Sequence, residues 1–79
     1  MNIHLKYFGQ LSEVTGTNQE TISIPSEITL EELKVLLEKK YMGLQNKTYQ
    51  CAVNLKLENG NFKLSDNSEI ALLPPFAGG

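Results

Sequence analysis

Apolar and polar residues alternate along three separate segments of the chain, NIHLKYF, ETISIP and EIALLP. A period of two residues is typical of a β-strand that buries one face and exposes the other. The residues predicted to face the core are Ile3, Leu5, Tyr7, Ile22, Ile24, Ile70 and Leu72. Pro25 and Pro74 follow the second and third segments and end them, because proline cannot donate a ladder hydrogen bond.

A fourth segment, YQCAVNLKL, has strand character throughout, and alternation places Cys51 with Val53 and Leu55 on its buried side. Asn59-Gly60 follows it, a dipeptide that favours a hairpin turn when strands flank it. The next stretch, FKLSDNS, predicts a short strand or loop. GQLSEVTG, near the amino-terminal end, predicts a brief helical turn or loop.

The segment TLEELKVLLEKKY predicts the main helix. Thr29 and Glu32 have the spacing of a capping box, in which each side chain satisfies an unpaired backbone amide at the helix start. One apolar stripe contains Leu30, Leu33, Leu37 and Tyr41, with Leu36 beside it. Acidic residues come early and lysines late, which suits the helix dipole, and Gly43 is the expected end.

These elements follow one another as strand, strand, helix, strand, short strand and strand. The order favours an α+β roll, in which a mixed sheet of four to five strands packs on one main helix. A chain of 79 residues suits a single domain. We expect that domain at residues 1–73 and a flexible tail, PPFAGG, at residues 74–79.

The composition excludes several classes of function. All seven cationic residues are lysines and the net charge is −2, so a basic, arginine-rich nucleic-acid face is not expected. One cysteine and one histidine provide neither a disulfide nor a zinc site. The sequence lacks the apolar run of a signal peptide or a membrane helix. We therefore expect a cytoplasmic protein that contacts no membrane and binds no metal.

The tail has an unusual composition. Pro74 and Pro75 restrict its base, and residues 77–79 contribute only a methyl group and hydrogens beyond the backbone. Six extended residues reach about 20 Å, so such an arm could deliver its terminal carboxylate into a narrow channel. A carboxylate is a poor electrophile, so another protein would have to activate it. The alternative is that the glycines are an ordinary frayed end.

Three motifs together, YFGQLSEVTG, AVN and PPFAGG, resemble the small subunit of molybdopterin synthase. The resemblance spans nearly the whole chain and implies a ubiquitin-like β-grasp fold. At Ser12, Leu72–Leu73 and Phe76 the chain departs from residues that this family often has, and these positions bear on partner contacts.

The resemblance implies a sulfur carrier. An E1-like enzyme would use ATP to adenylate the Gly79 carboxylate, and sulfur transfer would then leave a thiocarboxylate on Gly79. The tail would enter the large synthase subunit, within an expected heterotetramer, and donate sulfur to cyclic pyranopterin monophosphate. Catalytic side chains would belong to the partners, and the chain itself would bind no cofactor. Pro74, Pro75, Phe76, Ala77 and Gly78 would thread the tail.

Strand alternation also predicts a docking face. If Tyr7 and Leu72 point into the core, Phe8 and Leu73 point outward beside the base of the tail, and Phe76 and Leu57 extend this apolar surface. Cys51 is expected in the core and His4 on the solvated face. Three other functions stay open: a sulfur carrier of the thiamine pathway, a ubiquitin-like modifier joined to target lysines through Gly79, and an interaction module with an inert tail.

Overall fold

The computed structural model describes residues 1–25 and 27–75. In chain order its elements are β1 (Asn2–Tyr7), α1 (Gln10–Thr15), β2 (Gln19–Ser23), α2 (Leu30–Lys40), a 3₁₀ helix (Met42–Asn46), β3 (Gln50–Val53), β4 (Lys56–Leu57) and β5 (Ser68–Leu73).

The five strands form one mixed sheet with the order β2-β1-β5-β3-β4. The first and last strands of the chain, β1 and β5, are parallel neighbours in its centre, and the other neighbours are antiparallel. Since β1 and β5 lie far apart in the sequence, the intervening chain must cross over, and α2 lies within that crossover. The predicted α+β roll, a mixed sheet on one main helix, is confirmed.

The core lies between α2 and one face of the sheet. The residues predicted to face it from the first, second and last strand segments are buried, except Ile22, which is partly exposed at the side of the core. From the helix the core receives Leu30, Leu33 and Leu37. Leu36, at the margin of the predicted stripe, is 43% exposed. Full burial of one such side chain stabilises the fold by about 1.5–3 kcal/mol, so the shared apolar face is the main source of stability.

The prediction of one continuous strand from Tyr49 to Leu57 is wrong. The backbone turns sharply after Val53, because Asn54 and Leu55 both have positive φ angles, 49° and 73°. This is the backbone sign of a two-residue hairpin turn, and it joins β3 to β4. Leu55 is consequently 90% exposed instead of sharing the buried side of the strand.

The hairpin expected at Asn59-Gly60 is also absent from the described residues. These two residues lie in a loop after β4, where the Phe62 amide donates to the Asn59 carbonyl at 3.1 Å. Further along, Lys63 forms only an isolated bridge with Thr29. The sheet pairs β3 with β5, so the chain after Gly60 runs past the start of α2 before it returns.

The capping box at the start of α2 is confirmed. The Glu32 amide donates to Thr29 Oγ1 at 3.2 Å, and the Thr29 amide donates to Glu32 Oε1 at 2.9 Å. The helix ends at Lys40 rather than at Gly43, because Tyr41 takes an extended conformation. Gly43 instead lies within the 3₁₀ helix, where an added Cβ would be 2.9 Å from Val14 Cγ1. Its small size permits this close approach to α1.

A polar cluster holds the end of α2 against the sheet. Glu20 on β2 accepts hydrogen bonds from the hydroxyls of Tyr7 and Tyr41, at 2.6 and 2.7 Å, and from Lys40 Nζ at 2.9 Å. Burial alone would raise the pKa of Glu20, but these three donors outweigh it and hold the pKa below its ordinary value. Burial and the Glu20 carboxylate raise the pKa of Tyr7. The cluster therefore combines an ionised Glu20 with protonated tyrosines.

We predict that Glu20→Gln lowers the free energy of unfolding at pH 7 by about 1.5–3 kcal/mol, the range for hydrogen bonds to a charged group. Because the folded-state pKa of Glu20 is lowered, the stabilisation is present at neutral pH and is lost as the pH falls through that pKa. Urea unfolding from pH 7 to pH 3 should show the difference between variant and wild type shrinking. Glu13→Gln, at an exposed position on α1, is the control and should have little effect at either pH.

Candidate functional site

The base of the tail lies at the end of the central strand β5. On one side of it the Phe8 amide donates to the Leu72 carbonyl at 3.2 Å, so the ladder with β1 continues one residue past that strand. On the other side Leu73 pairs with Gln50, at the start of β3. Pro74 and Pro75 follow directly. The tail therefore starts just after Leu72, the last core residue of β5, which β1 and β3 hold from either side. Residues 76–79 lie outside the described residues.

Gly9 fits closely against the first proline of the tail. It has φ 58° and ψ −134°, a combination that glycine adopts readily and other residues do not. A Cβ added there would be 3.1 Å from Pro74 Cγ. The turn between β1 and α1 thus forms a wall beside Pro74. The sequence placed Gly9 only at the border of a short helical segment and gave no sign of this contact.

Strand register brings the predicted docking residues onto one face of the sheet. Phe8 and Leu73 lie side by side at the end of the β1–β5 ladder, on the face opposite α2. Ala71 pairs with Ala52, and Ala52 pairs with Leu57. Because paired residues lie on the same face of a sheet, Leu57 on β4 shares the face of Leu73. We call this surface the outer patch; it consists of Phe8, Ala52, Leu57, Ala71 and Leu73.

The outer patch has two small alanine side chains in its middle and larger apolar side chains on either side of them. Phe8 and Leu57 are 45% and 57% exposed, and Leu73 is partly exposed. Between them Ala71 is partly exposed and Ala52 is 7% exposed, and both side chains are single methyl groups. Exposed apolar side chains grouped on one face are typical of an interface. The structure therefore places Phe8, Leu73 and Leu57 on the surface from which the tail starts.

Polar residues occupy the other half of the same face. Lys6 Nζ and Glu69 Oε2 form an exposed ion pair at 3.4 Å, which contributes little to stability. His4, expected to be solvated, is partly exposed and hydrogen-bonds to Thr21 and Asn67 at 3.0 and 3.2 Å. The apolar half of the face is thus the half that adjoins the tail.

Cys51 belongs to the core, as predicted. It is only 6% exposed. Burial, opposed by the nearby Lys34, raises the pKa of its thiol to about 11, so it is protonated at neutral pH. Within residues 1–25 and 27–75 there is no cluster of metal-ligating side chains. In the same ranges no helix has the length and apolarity to cross a bilayer.

Comparison with known sequences gives consistent results. The sequence model of the ThiS family matches residues 5–79. The molybdopterin synthase sulfur carrier subunit of Caenorhabditis briggsae is 31% identical over 83 residues, covering 100% of this chain and 99% of that protein. The Homo sapiens subunit of the same name is 33% identical over 82 residues, covering 98% and 93%.

Solved structures share the fold. A putative molybdopterin converting factor subunit 1 from Pyrococcus furiosus superposes with a TM-score of 0.90 at 19% identity, covering 96% of this chain and 99% of that one. SAMP1 from Haloferax volcanii gives 0.86 at 19%, with both chains fully covered. A chain from the complex of subunits 1 and 2 of molybdopterin-converting factor from Helicobacter pylori gives 0.71 at 29%, again over 100% of both. The expected ubiquitin-like β-grasp fold is thereby confirmed.

We predict that Gly9→Ala lowers the free energy of unfolding by about 2–3 kcal/mol, because it adds backbone strain and crowds Pro74. Gly16→Ala is the matched control: its φ is also positive, 79°, but an added Cβ has open space. That change should cost about 1 kcal/mol. Urea unfolding measures both variants. The amide chemical shift of Leu73, the residue before Pro74, should move only in Gly9→Ala, and equal effects of the two variants would contradict the proposed wall.

Proposed function

The chain belongs to the ThiS family, and from its full-length similarity to sulfur carrier subunits of molybdopterin synthase we propose that it carries sulfur for molybdopterin synthesis. Identities of 31% and 33% over nearly the entire chain are the observation that carries this proposal. The fold agrees with it, as does the placement of an apolar surface at the base of the tail.

The proposed chemistry takes place on the carboxylate of Gly79. An E1-like enzyme transfers AMP from ATP to this carboxylate, releasing pyrophosphate, and the resulting acyl-adenylate has a good leaving group. A donor of sulfur at the sulfide level attacks the carbonyl carbon, a C–S bond forms, and AMP departs. The product is a thiocarboxylate, whose sulfur is passed to cyclic pyranopterin monophosphate. Two such deliveries supply the two sulfur atoms of the dithiolene.

This chemistry places few demands on the carrier's own side chains. Cys51 is buried and protonated, so it is unsuited to relay sulfur, and ATP is consumed by the activating enzyme. We therefore propose that this chain binds no cofactor and that the catalytic side chains belong to its partners. A reducing cytoplasm, which suits a lone thiol, is the proposed location.

The outer patch is the proposed docking surface for the large synthase subunit, with Phe8, Leu57 and Leu73 in contact. Gly79, on which the proposed chemistry takes place, is four residues beyond Pro75, and four residues span at most about 14 Å. The partner's active site must lie within that distance of the tail base, so the partner must contact the surface around it. The outer patch is the apolar part of that surface. The similar Helicobacter pylori chain was solved as a complex of subunits 1 and 2.

We predict that Gly79 acquires sulfur. The protein with a free carboxyl end, incubated with its adenylating enzyme, ATP and a sulfur donor, should gain the mass difference between sulfur and oxygen in intact mass spectrometry. Fragmentation should place the change on Gly79. The chain lacking Gly79 is the control and should show no such product while unfolding at the same urea concentration as wild type.

Other outcomes of that experiment decide between functions. If an authentic carrier is modified under the same conditions and this chain is not, the proposed chemistry is wrong. Higher-mass conjugates to lysines in cells would instead support a protein modifier. If the protein is loaded but restores only a thiamine-requiring strain, and not a molybdoenzyme-deficient one, it serves the thiamine pathway.

We further predict that Leu57→Asp weakens binding to the large subunit at least about tenfold, because it places a charge within an apolar interface. Leu55→Asp is the matched control, since Leu55 lies two residues away in the same hairpin, is 90% exposed and is not part of the outer patch. Isothermal titration calorimetry with the purified large subunit measures both. Equal affinities for the two variants would show that docking uses another surface.

A further inference from the structure

The strand β2 forms a free edge of the sheet, and its hydrogen-bonding pattern shows which groups face outward. Ile24 exchanges both backbone hydrogen bonds with Met1, and the Tyr7 amide donates to the Asn18 carbonyl at 2.9 Å. In an antiparallel pair these bonded positions recur every second residue. The even-numbered residues of β2 therefore face β1, and Gln19, Thr21 and Ser23 direct their backbone groups away from the sheet.

This edge has few of the features that normally block pairing. Exposed edges are usually short, bulged or protected by charged residues and proline. The opposite edge, β4, is short, with only two residues. In β2 the outward positions are uncharged, and Pro25 lies beyond its end. One side chain does compete for the edge: the Thr17 hydroxyl donates to the Gln19 carbonyl at 2.9 Å and accepts from the Gln19 amide at 3.4 Å.

An apolar groove lies beside the end of β2, between that strand and α2. Its volume is about 390 Å³, and its lining residues are Ile24, Pro25, Ile28, Glu32, Val35 and Leu36. Val35 and Leu36 are 46% and 43% exposed, although both are aliphatic residues on the main helix. The groove is on the opposite side of α2 from Lys34, which faces β3 and β4.

Charge is distributed asymmetrically along this side of the molecule. Helix α2 starts near Ile24, because Glu32 lines the groove with it, and ends near Glu20, which binds Lys40 and Tyr41. The helix therefore runs opposite to β2. In its first turn Glu32 lines the groove, whereas Glu31 lies against Gly60 on the other side of the helix. In its last turn Lys40 is bound to Glu20, and Lys39, which is exposed, follows Val35 and Leu36 at helical spacing. The groove side thus carries Glu32 at one end and Lys39 at the other.

We propose that a second copy of this chain pairs with β2, forming a two-fold symmetric dimer through the two strand edges. An antiparallel arrangement places Thr21 opposite the second copy's Thr21, and Gln19 opposite its Ser23. Every outward backbone group of the edge then meets its complement. The hydroxyl of Thr17 has to rotate away from Gln19 for the outer pairs to form.

Charge complementarity supports a second copy rather than an arbitrary strand. Because α2 runs opposite to β2, antiparallel pairing of the strands also makes the two helices antiparallel. Glu32 of each helix then faces Lys39 of the other. The aliphatic stem of Lys39 can cover the apolar groove while its ammonium group approaches Glu32. Such an interface is self-complementary, as two-fold symmetry requires.

The dimer leaves the proposed docking surface open. The outer patch and the base of the tail lie on β1, β5, β3 and β4, and α2 lies on the other face of the sheet. Pairing at β2 extends the sheet sideways without covering them. Two carriers joined in this way could each still present a tail. The proposed dimer rests on the free edge of β2 and on the apolar groove, not on the sulfur chemistry. Either the dimer or the proposed function can therefore be wrong while the other holds.

Sedimentation equilibrium of the full chain from 10 μM to 1 mM tests the proposal, together with amide hydrogen exchange. We expect a monomer–dimer equilibrium, and protection of the Thr21 and Ser23 amides that rises with protein concentration. Thr21→Pro removes one outward donor from each copy and should weaken dimerisation at least about tenfold. Thr21→Val, which loses only the hydroxyl, should leave it unchanged. Thr17→Val should strengthen it by releasing Gln19.

A charge-reversal pair tests the relative orientation of the two copies. Lys39→Glu places a carboxylate opposite Glu32 of the second copy and should weaken dimerisation, with a smaller effect at high salt. Lys47→Glu makes the same change in charge outside the groove and should not. Thr21→Lys, which brings like charges together on the symmetry axis, serves if Thr21→Pro does not fold. A monomer at every concentration, or a dimer that Leu57→Asp dissociates and that Thr21→Pro and Thr21→Lys do not, would overturn the proposal.

Discussion

The parallel pairing of β1 with β5 is the contact on which the other features depend. It joins the two ends of the described chain in the middle of the sheet, with Leu5 opposite Ile70 and Tyr7 opposite Leu72. Backbone bonds close the ladder at both ends, from the Asn67 amide to the Asn2 carbonyl at 2.7 Å and at Phe8. Closing so long a loop costs entropy, and the buried faces of both strands offset that cost. Once this register is set, the outer patch, the exit of the tail and the free edge at β2 are set with it.

The sequence was sufficient wherever a single physical signal dominated. Alternation identified β1 and β5 and the faces they bury, and side-chain spacing identified the capping box. It failed where the outcome depends on tertiary contacts. Asn54 tolerates a positive φ, but Leu55 adopts one that leucine does not favour, so the local signal for the turn after β3 was weak. Likewise α2 stops before Gly43 because Tyr41 is held by Glu20, a residue of β2 that is distant in sequence.

The candidate site was predictable in part for the same reason. Phe8 and Leu73 follow from strand alternation, since each is adjacent to a buried residue of a central strand. Their position beside Leu57 required the pairing of four strands, which a single sequence does not specify. The contact between Gly9 and Pro74 has no sequence signal beyond the glycine itself, because it depends on where β5 ends relative to β1. The residue types of the tail indicated the proposed chemistry, and the strand register placed the outer patch beside the base of the tail.

A sulfur carrier has to separate its stability from its reactivity. Here the apolar core and the Glu20 cluster lie on the helix side of the sheet, while the outer patch and the tail base lie on the other side or at the strand end. A partner can therefore contact the outer patch without disturbing the buried residues. The wall formed by Gly9 limits the directions in which Pro74 can leave the sheet, so less entropy is lost when the tail enters a partner. A rigid base and a short, narrow arm are together enough to present a carboxylate, and this is why the proposed function needs no catalytic side chain on the carrier itself.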